Sequence, residues 1–309
     1  MLTVEDVRRL LTSEKVRKAV QVQSHILGIA REFLAARGFV EILPVVISPF
    51  TDPLADDRVR GEVECYGFRY QITKSMIFHK QIALLGHPRV FCFSPNVRIE
   101  PVERRTTGRH LIEFVQLDLE AREASRADVC GLAEEFLVDL LTRLPAAAPA
   151  ELGFFGRKLR PPKRPFRTIR YADAVGEYGK DFELGLSQDL REPAWIIDFP
   201  VEAREFYDRE YPDRPGFLRD MDLIYPEGFG EALSGGEREH QAEAIIKRMV
   251  RKGIDPATYR TYLDFARCGL PASAGFGIGM ERLTRYVCGL AGVAEARYFA
   301  KLPGTASLL

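Results

Sequence analysis

The segment from Val90 to Glu120 limits the fold more than any other part of this chain. It holds two β-rich runs, VFCFSPNVRIE and RHLIEFVQLDLE, on either side of the polar stretch PVERRTTG. Apolar residues recur at Val97, Ile99, Phe114 and Leu117, so the runs predict an antiparallel hairpin with a long polar turn. Its polar positions carry Arg98, Glu100, Arg109, His110, Glu113, Gln116, Asp118 and Glu120. So many ionisable groups on one sheet predict a face presented to a ligand; scattered ion pairs on an edge hairpin are the plainer alternative.

Arg98-Ile99-Glu100 followed by Arg109-His110-Leu111-Ile112-Glu113-Phe114 resembles motif 2 of the class II aminoacyl-tRNA synthetases, in their aspartate and asparagine subgroup. The resemblance implies an α+β fold with an antiparallel sheet flanked by helices. It also implies that Arg98 holds the ATP α-phosphate, Glu100 reads the adenine amino group and Phe114 stacks on the base, with Arg109 and His110 beside the nucleotide.

Thr3 is placed to cap a short helix through Asp6, and Ser13 to start a longer one whose apolar residues recur at helical spacing until Gly38. Gly38 to Pro44 reads as a strand ended by proline. Helix, strand and proline together resemble motif 1, which in the family builds a homodimer interface. Aspartyl- and asparaginyl-tRNA synthetases carry an anticodon-binding barrel ahead of this motif, and here only helical sequence precedes it. The expectation is one catalytic domain over residues 1–309 with no anticodon-binding domain, and tRNA is not the expected acceptor. The 44 basic and 44 acidic residues agree, since zero net charge gives no broad footprint for nucleic acid or an anionic membrane.

Residues 49–60 read as a loop and 63–73 as strand-like. Lys74 to Gly86 reads as a helix that resembles the aspartyl enzymes' Ser-Pro-Gln-x-x-Lys-Gln segment at Ser75 and Lys80. That likeness implies that Lys80 pairs with a substrate carboxylate; without it, a solvated helix lysine is the default. Residues 125–144 predict an amphipathic helix, PAAAPA a connection, and 145–195 a variable insertion. The basic run GRKLRPPKRPFRTIR, interrupted by prolines, reads as a solvated loop rather than a phosphate-binding patch.

Further on, Met221 to Pro226 and Gly230 to Arg238 predict two strands around a Glu227-Gly228 turn. They can bring Asp222 and Glu231 together beside a phosphate, as a Mg²⁺ site requires. Glu231 through Ser234 and Gly235 to Arg238 resembles the family's Glu and glycine-rich run with its Arg seven residues on. By that resemblance Asp222 and Glu231 hold Mg²⁺ with ATP, and Arg238 pairs with the substrate carboxylate. Helices are expected over 237–253 and 255–268. Ser273 to Leu283 then runs a glycine-rich strand, with Gly277 and Gly279, into a helix whose first turns hold Arg282. This resembles motif 3, whose Arg binds the ATP γ-phosphate.

The five cysteines show no CxxC spacing and are expected as reduced thiols in a cytoplasm, and no apolar run approaches membrane-spanning length. Lys80, Arg238 and Asp118, read as two cations and one anion, complement aspartate, with Gln116, Ser75, Ser234 and Gly235 on the same substrate. Over nearly its whole length the chain resembles the archaeal asparagine synthetases related to asparaginyl-tRNA synthetase. That implies aspartate, ATP and ammonia as substrates, with asparagine, AMP and pyrophosphate as products. A truncated synthetase, or an enzyme adenylating an acid for another acceptor, is the alternative.

Overall fold

The computed structural model describes residues 3–54 and 61–306. In chain order the elements are α1 Val4–Thr12, α2 Glu14–Ala35, β1 Val40–Glu41, β2 Ile47–Ser48, β3 Glu62–Cys65, β4 Phe68–Ile72, α3 Ile77–Ala83, β5 Arg89–Val97, β6 Glu113–Arg122, α4 Arg126–Ala147 and α5 Pro149–Phe155. The second half adds β7 Arg167–Arg170, α6 Tyr171–Tyr178, α7 Phe182–Asp189, β8 Ala194–Ile197, β9 Asp220–Tyr225, β10 Gly230–Arg238, α8 Ala242–Arg251, α9 Arg260–Arg267, β11 Ser273–Gly279 and α10 Met280–Cys288.

Eight strands form one sheet in the order β1-β5-β6-β11-β10-β9-β8-β7, antiparallel except at its two edges, where β1 joins β5 and β7 joins β8 in parallel. The expected hairpin forms its second and third strands: β5 pairs β6 from Arg89↔Ala121 to Val97↔Glu113, and a short 3-10 helix over Val102–Thr107 occupies the turn. Period-two alternation along β6 sorts its side chains. Leu117, Leu119 and Ala121 enter the main core with α2, α4 and α10, whereas Gln116, Asp118 and Glu120 point to the opposite face. On that face a second core of aromatic residues, Phe78, Phe206, Tyr259 and Tyr262 among them, holds α3, α8 and α9.

Small residues let the polar face close up. A Cβ at Gly275 would overlap the Glu120 carboxylate and the Leu119 carbonyl, and one at Gly235 would overlap the Gly275 carbonyl. These glycines serve close approach rather than unusual torsion.

Several expectations need correction. The motif 1 strand pairs only at Val40 and Glu41, with one further bond from Ile42 N to Phe91 O, because Leu43 and Pro44 leave the sheet edge. Residues 63–73 are not one strand but lie in a hairpin around Tyr66 and Gly67, both at positive φ, in a separate sheet β2-β4-β3. PAAAPA is not a connection: α4 runs through Pro145 to Ala147 and Pro149 opens α5, a position where the missing N–H costs nothing. Helix α8 starts at Ala242, not Glu237, since Glu237 and Arg238 stay in β10 paired with Ala274 and Ser273. The basic run is not wholly solvated either. Arg157 lies over Tyr286 and bonds Glu227, Arg164 bonds Glu134 and Glu135, and Arg167–Arg170 is β7. Of the loop expected over 49–60, residues 55–60 lie outside the described residues. The five cysteines are free thiols, and no described helix is long and apolar enough to cross a membrane.

Candidate active site

Two adjoining cavities open on the polar face. The larger, about 540 Å³, lies between the β5–β6 turn and the start of α10; the smaller, about 270 Å³, lies between β6, β10 and α3. Arg98, Gln116 and Glu231 line both and so mark their junction.

Arg98 follows β5 and is fixed by its surroundings. Its Nε donates to Lys74 O at 3.2 Å, its Nη2 to Gln116 Oε1 at 3.4 Å, and its guanidinium lies 5.0 Å from the Phe114 ring centroid. Among the described residues it has no carboxylate partner, so its charge is free for an anion at the junction. Arg282, in the first turn of α10, pairs with Glu231 at 3.1 Å and donates to Arg109 O at 3.3 Å; Arg109 in turn pairs with Glu183 at 3.0 Å. Glu100 holds Arg104 at 2.8 Å across the turn. His110 sits on this wall against Thr107 Oγ1 at 2.7 Å, and burial together with Arg282, Arg104 and Arg109 pulls it down to about 3. The larger cavity therefore joins an aromatic face, a helix N-terminus and several arginines, which suits a nucleotide with its phosphates directed to the junction.

The smaller cavity is crowded with charge. Lys80, expected by default as a solvated lysine, is buried and donates to Asp118 at 3.1 Å and Phe276 O at 3.3 Å, with Glu120 at 3.5 Å. Arg238 reaches Asp208 at 2.7 Å, Gly275 O at 2.9 Å and Glu120 at 3.3 Å. Ser75 Oγ donates to Asp52 at 2.9 Å, and Tyr207 OH reaches the same carboxylate at 3.1 Å. Burial raises the Asp52 carboxyl while Arg98 pulls it down. Ser234 and Gly235 line this cavity from β10, and Gly277, expected at the nucleotide, lines it too, while Gly279 lies on the nucleotide wall.

The simple count of two cations and one anion is thereby revised. The smaller cavity's wall includes Lys80, Arg98, Arg204 and Arg238 against Asp52, Asp118, Glu205, Asp208 and Glu231, so placement rather than net charge selects the ligand. Arg204, Asp208, Tyr207 and Asp52 escaped sequence reasoning. For the first three the run Arg204-Glu205-Phe206-Tyr207-Asp208, three charged residues around two aromatics, was the available signal, and it follows no spacing rule.

Asp222 and Glu231 stand differently. Glu231 lines both cavities, whereas Asp222 lines neither: it pairs with Arg204 at 2.6 Å, and Arg204 also holds Asp220 at 2.8 Å. Burial pushes Asp222 up to about 6, against the pull of Arg204 and with a push from Glu231. No group of three or more acidic, His or Cys side chains among the described residues forms a cage for a metal. Two mutually repelling carboxylates fit a Mg²⁺ that takes its remaining ligands from phosphates and water. Glu231 at the junction is paired with Arg282 and Asp222 with Arg204, so each would hold the ion only with its arginine turned towards the phosphates.

Residues 4–303 match the family of tRNA synthetases class II (D, K and N). Asparagine–tRNA ligase of Thermococcus gammatolerans is 29% identical over 96% of this chain and 72% of its own length, and that of Symbiobacterium thermophilum is 32% identical over 92% and 69%. Among solved structures, asparaginyl-tRNA synthetase from Pyrococcus horikoshii complexed with asparaginyl-adenylate superposes with a TM-score of 0.89, at 25% identity, covering 98% of this chain and 71% of that one. Aspartyl tRNA synthetase from Entamoeba histolytica superposes with a TM-score of 0.80 at 26% identity, covering 99% of this chain and 64% of that one.

Proposed function

The chain belongs to the class II tRNA synthetases (D, K and N), a family of ATP-dependent ligases, and from that premise we propose that it adenylates aspartate and passes the aspartyl group to ammonia, forming asparagine, AMP and pyrophosphate. The observation that carries the reading is the junction: a nucleotide-sized cavity meets a small cavity walled by Lys80 and Arg238 at Arg98, the one arginine lining the two cavities that lacks a carboxylate partner among the described residues. Attack of a carboxylate on the α-phosphorus needs phosphate charge neutralised and the two reactants held in line, and it needs no protein nucleophile.

In this reading Phe114 stacks on adenine and Glu100 accepts from its amino group. Arg109 and neutral His110 flank the phosphates, Arg98 holds the α-phosphate and Arg282 the γ-phosphate. A Mg²⁺ held by Glu231 and Asp222 would supply further charge on the phosphates. At the far end of the small cavity Lys80 and Arg238 hold the carboxylate that does not react, and Asp118, with Gln116, Ser75, Ser234 and Gly235 around it, turns the ammonium. The side-chain carboxylate then faces Arg98. The exposed apolar residues Leu43, Val46 and Ile47 support a homodimer through the motif 1 segment.

A second reading, activation of asparagine for transfer to tRNA, is favoured by the asparagine–tRNA ligases among the relatives and by Lys80 already being paired with Asp118 and Glu120. ATP–pyrophosphate exchange with each amino acid separates them. Exchange driven by aspartate, with asparagine released on adding ammonium, is the expected result; exchange driven by asparagine alone overturns it.

A further inference from the structure

One carboxylate on the small cavity's wall, Glu205, takes no part in the proposed adenylation. Glu205 makes no hydrogen bond or ion pair among the described residues, although its neighbours on the wall are engaged: Asp52 by Ser75 and Tyr207, Asp208 by Arg238. Asp118, 3% exposed on the same wall, also leaves its Oδ2 without a donor. The cavity thus offers vacant acceptors at two places, one beside Lys80 and one beside Asp52. A single amino-acid ammonium can fill only one of them.

Resting on the reading of the previous section, we infer that Glu205, with Asp52 behind it, binds the second substrate as ammonium and accepts its proton. Position supports this. Asp52 and Glu205 line the same small cavity as Arg98, which also lines the larger one, so the pair shares the cavity in which the reacting carboxylate would meet the phosphate; Arg98 is the charge that acts most on Asp52, and Asp52 the one that acts most on Glu205. The groups facing Glu205 are Asp52 and Asp208, which oppose its ionisation, and Lys252 and Lys74, which favour it. Burial adds to the first two and raises the carboxyl to about 7, a value at which it can take up and release a proton near neutrality.

The step balances. Ammonium gives one proton to the Glu205 carboxylate and becomes ammonia, whose lone pair attacks the carbonyl carbon of the aspartyl adenylate. The C–N bond forms, the bond from that carbon to the phosphate oxygen breaks, and AMP leaves with the electron pair. The extra proton on the new amide nitrogen passes to water, as does the proton on Glu205 afterwards.

The test compares Glu205→Gln and Glu205→Asp with the wild type in three assays: aspartate-dependent ATP–pyrophosphate exchange, asparagine formation from ammonium chloride across pH, and hydroxamate formation from hydroxylamine. Hydroxylamine is largely uncharged at neutral pH and needs no base to free its lone pair. Glu205→Gln is expected to lose about a hundredfold in asparagine formation at neutral pH, at least about tenfold more than it loses in either of the other assays, with the ammonium KM raised. Its deficit should shrink as rising pH supplies free ammonia, and Glu205→Asp should restore part of the rate. Equal losses in all three assays, or an unchanged ammonium KM, overturn the inference. Exchange without asparagine formation by the wild type would instead refute the ammonia acceptor, and the inference with it.

Discussion

Replacing Lys80 by Met nearly keeps the length of the side chain and removes its charge from a site where that side chain is 4% exposed. The loss falls unevenly on its two carboxylate partners. Glu120 keeps Arg238 at 3.3 Å and Ser273 Oγ at 2.8 Å, whereas Asp118 loses the one hydrogen-bond donor it has among the described residues. Breaking one member out of a buried ion pair costs about 3–5 kcal/mol, because the remaining charge stays desolvated. Lys80→Met should therefore lower the unfolding free energy by about that amount in urea titrations, a large share of the about 5–15 kcal/mol of a typical domain. Adding Asp118→Asn should recover part of the loss, with a coupling of about 1–3 kcal/mol in the double-mutant cycle. A loss below about 1 kcal/mol for the single variant, the value of an exposed pair, would refute the reasoning and return Lys80 to the surface.

Three further outcomes follow from the same geometry. Arg98→Ala and Arg282→Ala should each slow aspartate-dependent pyrophosphate exchange about a hundredfold or more while leaving circular dichroism unchanged, since each removes one phosphate counter-charge; wild-type exchange by either variant would contradict its placement. Gly275→Ala should reduce soluble, cooperatively unfolding protein, because the added methyl would overlap the Glu120 carboxylate and the Leu119 carbonyl on the adjacent strand; a melting curve like the wild type's would contradict that packing. His110 has its folded pKa lowered from 6.5 to about 3, so the unfolded chain binds a proton that the folded one refuses between those values. Its contribution is fully present above about pH 6.5 and is lost as pH falls towards 3, and His110→Gln should make stability fall less steeply over that range in parallel urea titrations.

Local pattern carried much of this fold into the sequence. The hairpin of β5 and β6 and the glycine-rich β11 running into α10 were legible because period-two and period-3.6 repeats are short-range properties. Thr3 and Asp6 form the capping box that their spacing suggests. What stayed hidden is long-range. Tyr207 and Asp52 meet across 155 residues, and Arg238 and Glu120 across 118, so no window of sequence contains both partners. The Arg204, Asp220 and Asp222 network depends on how the segment after β8 folds back on β9, and that path has no periodic signature. Proline misled in the other direction. Pro145 lies in the last turn of α4, where three alanines and the packing of Leu144 and Ala148 outweigh its helix-breaking tendency.

Which carboxylate of aspartate meets the α-phosphorus decides the outcome of the reaction. The two possible adenylates differ in mass by nothing and in consequence by everything: one can yield asparagine, the other an aminoacyl ester. Trapping the adenylate formed from aspartate and ATP with hydroxylamine, and separating the products, measures this directly. The β-hydroxamate, from the side-chain carboxylate, is the predicted product, because Lys80 and Arg238 would hold the α-carboxylate away from Arg98. A predominance of the α-hydroxamate would contradict the account and assign the site to aminoacyl transfer.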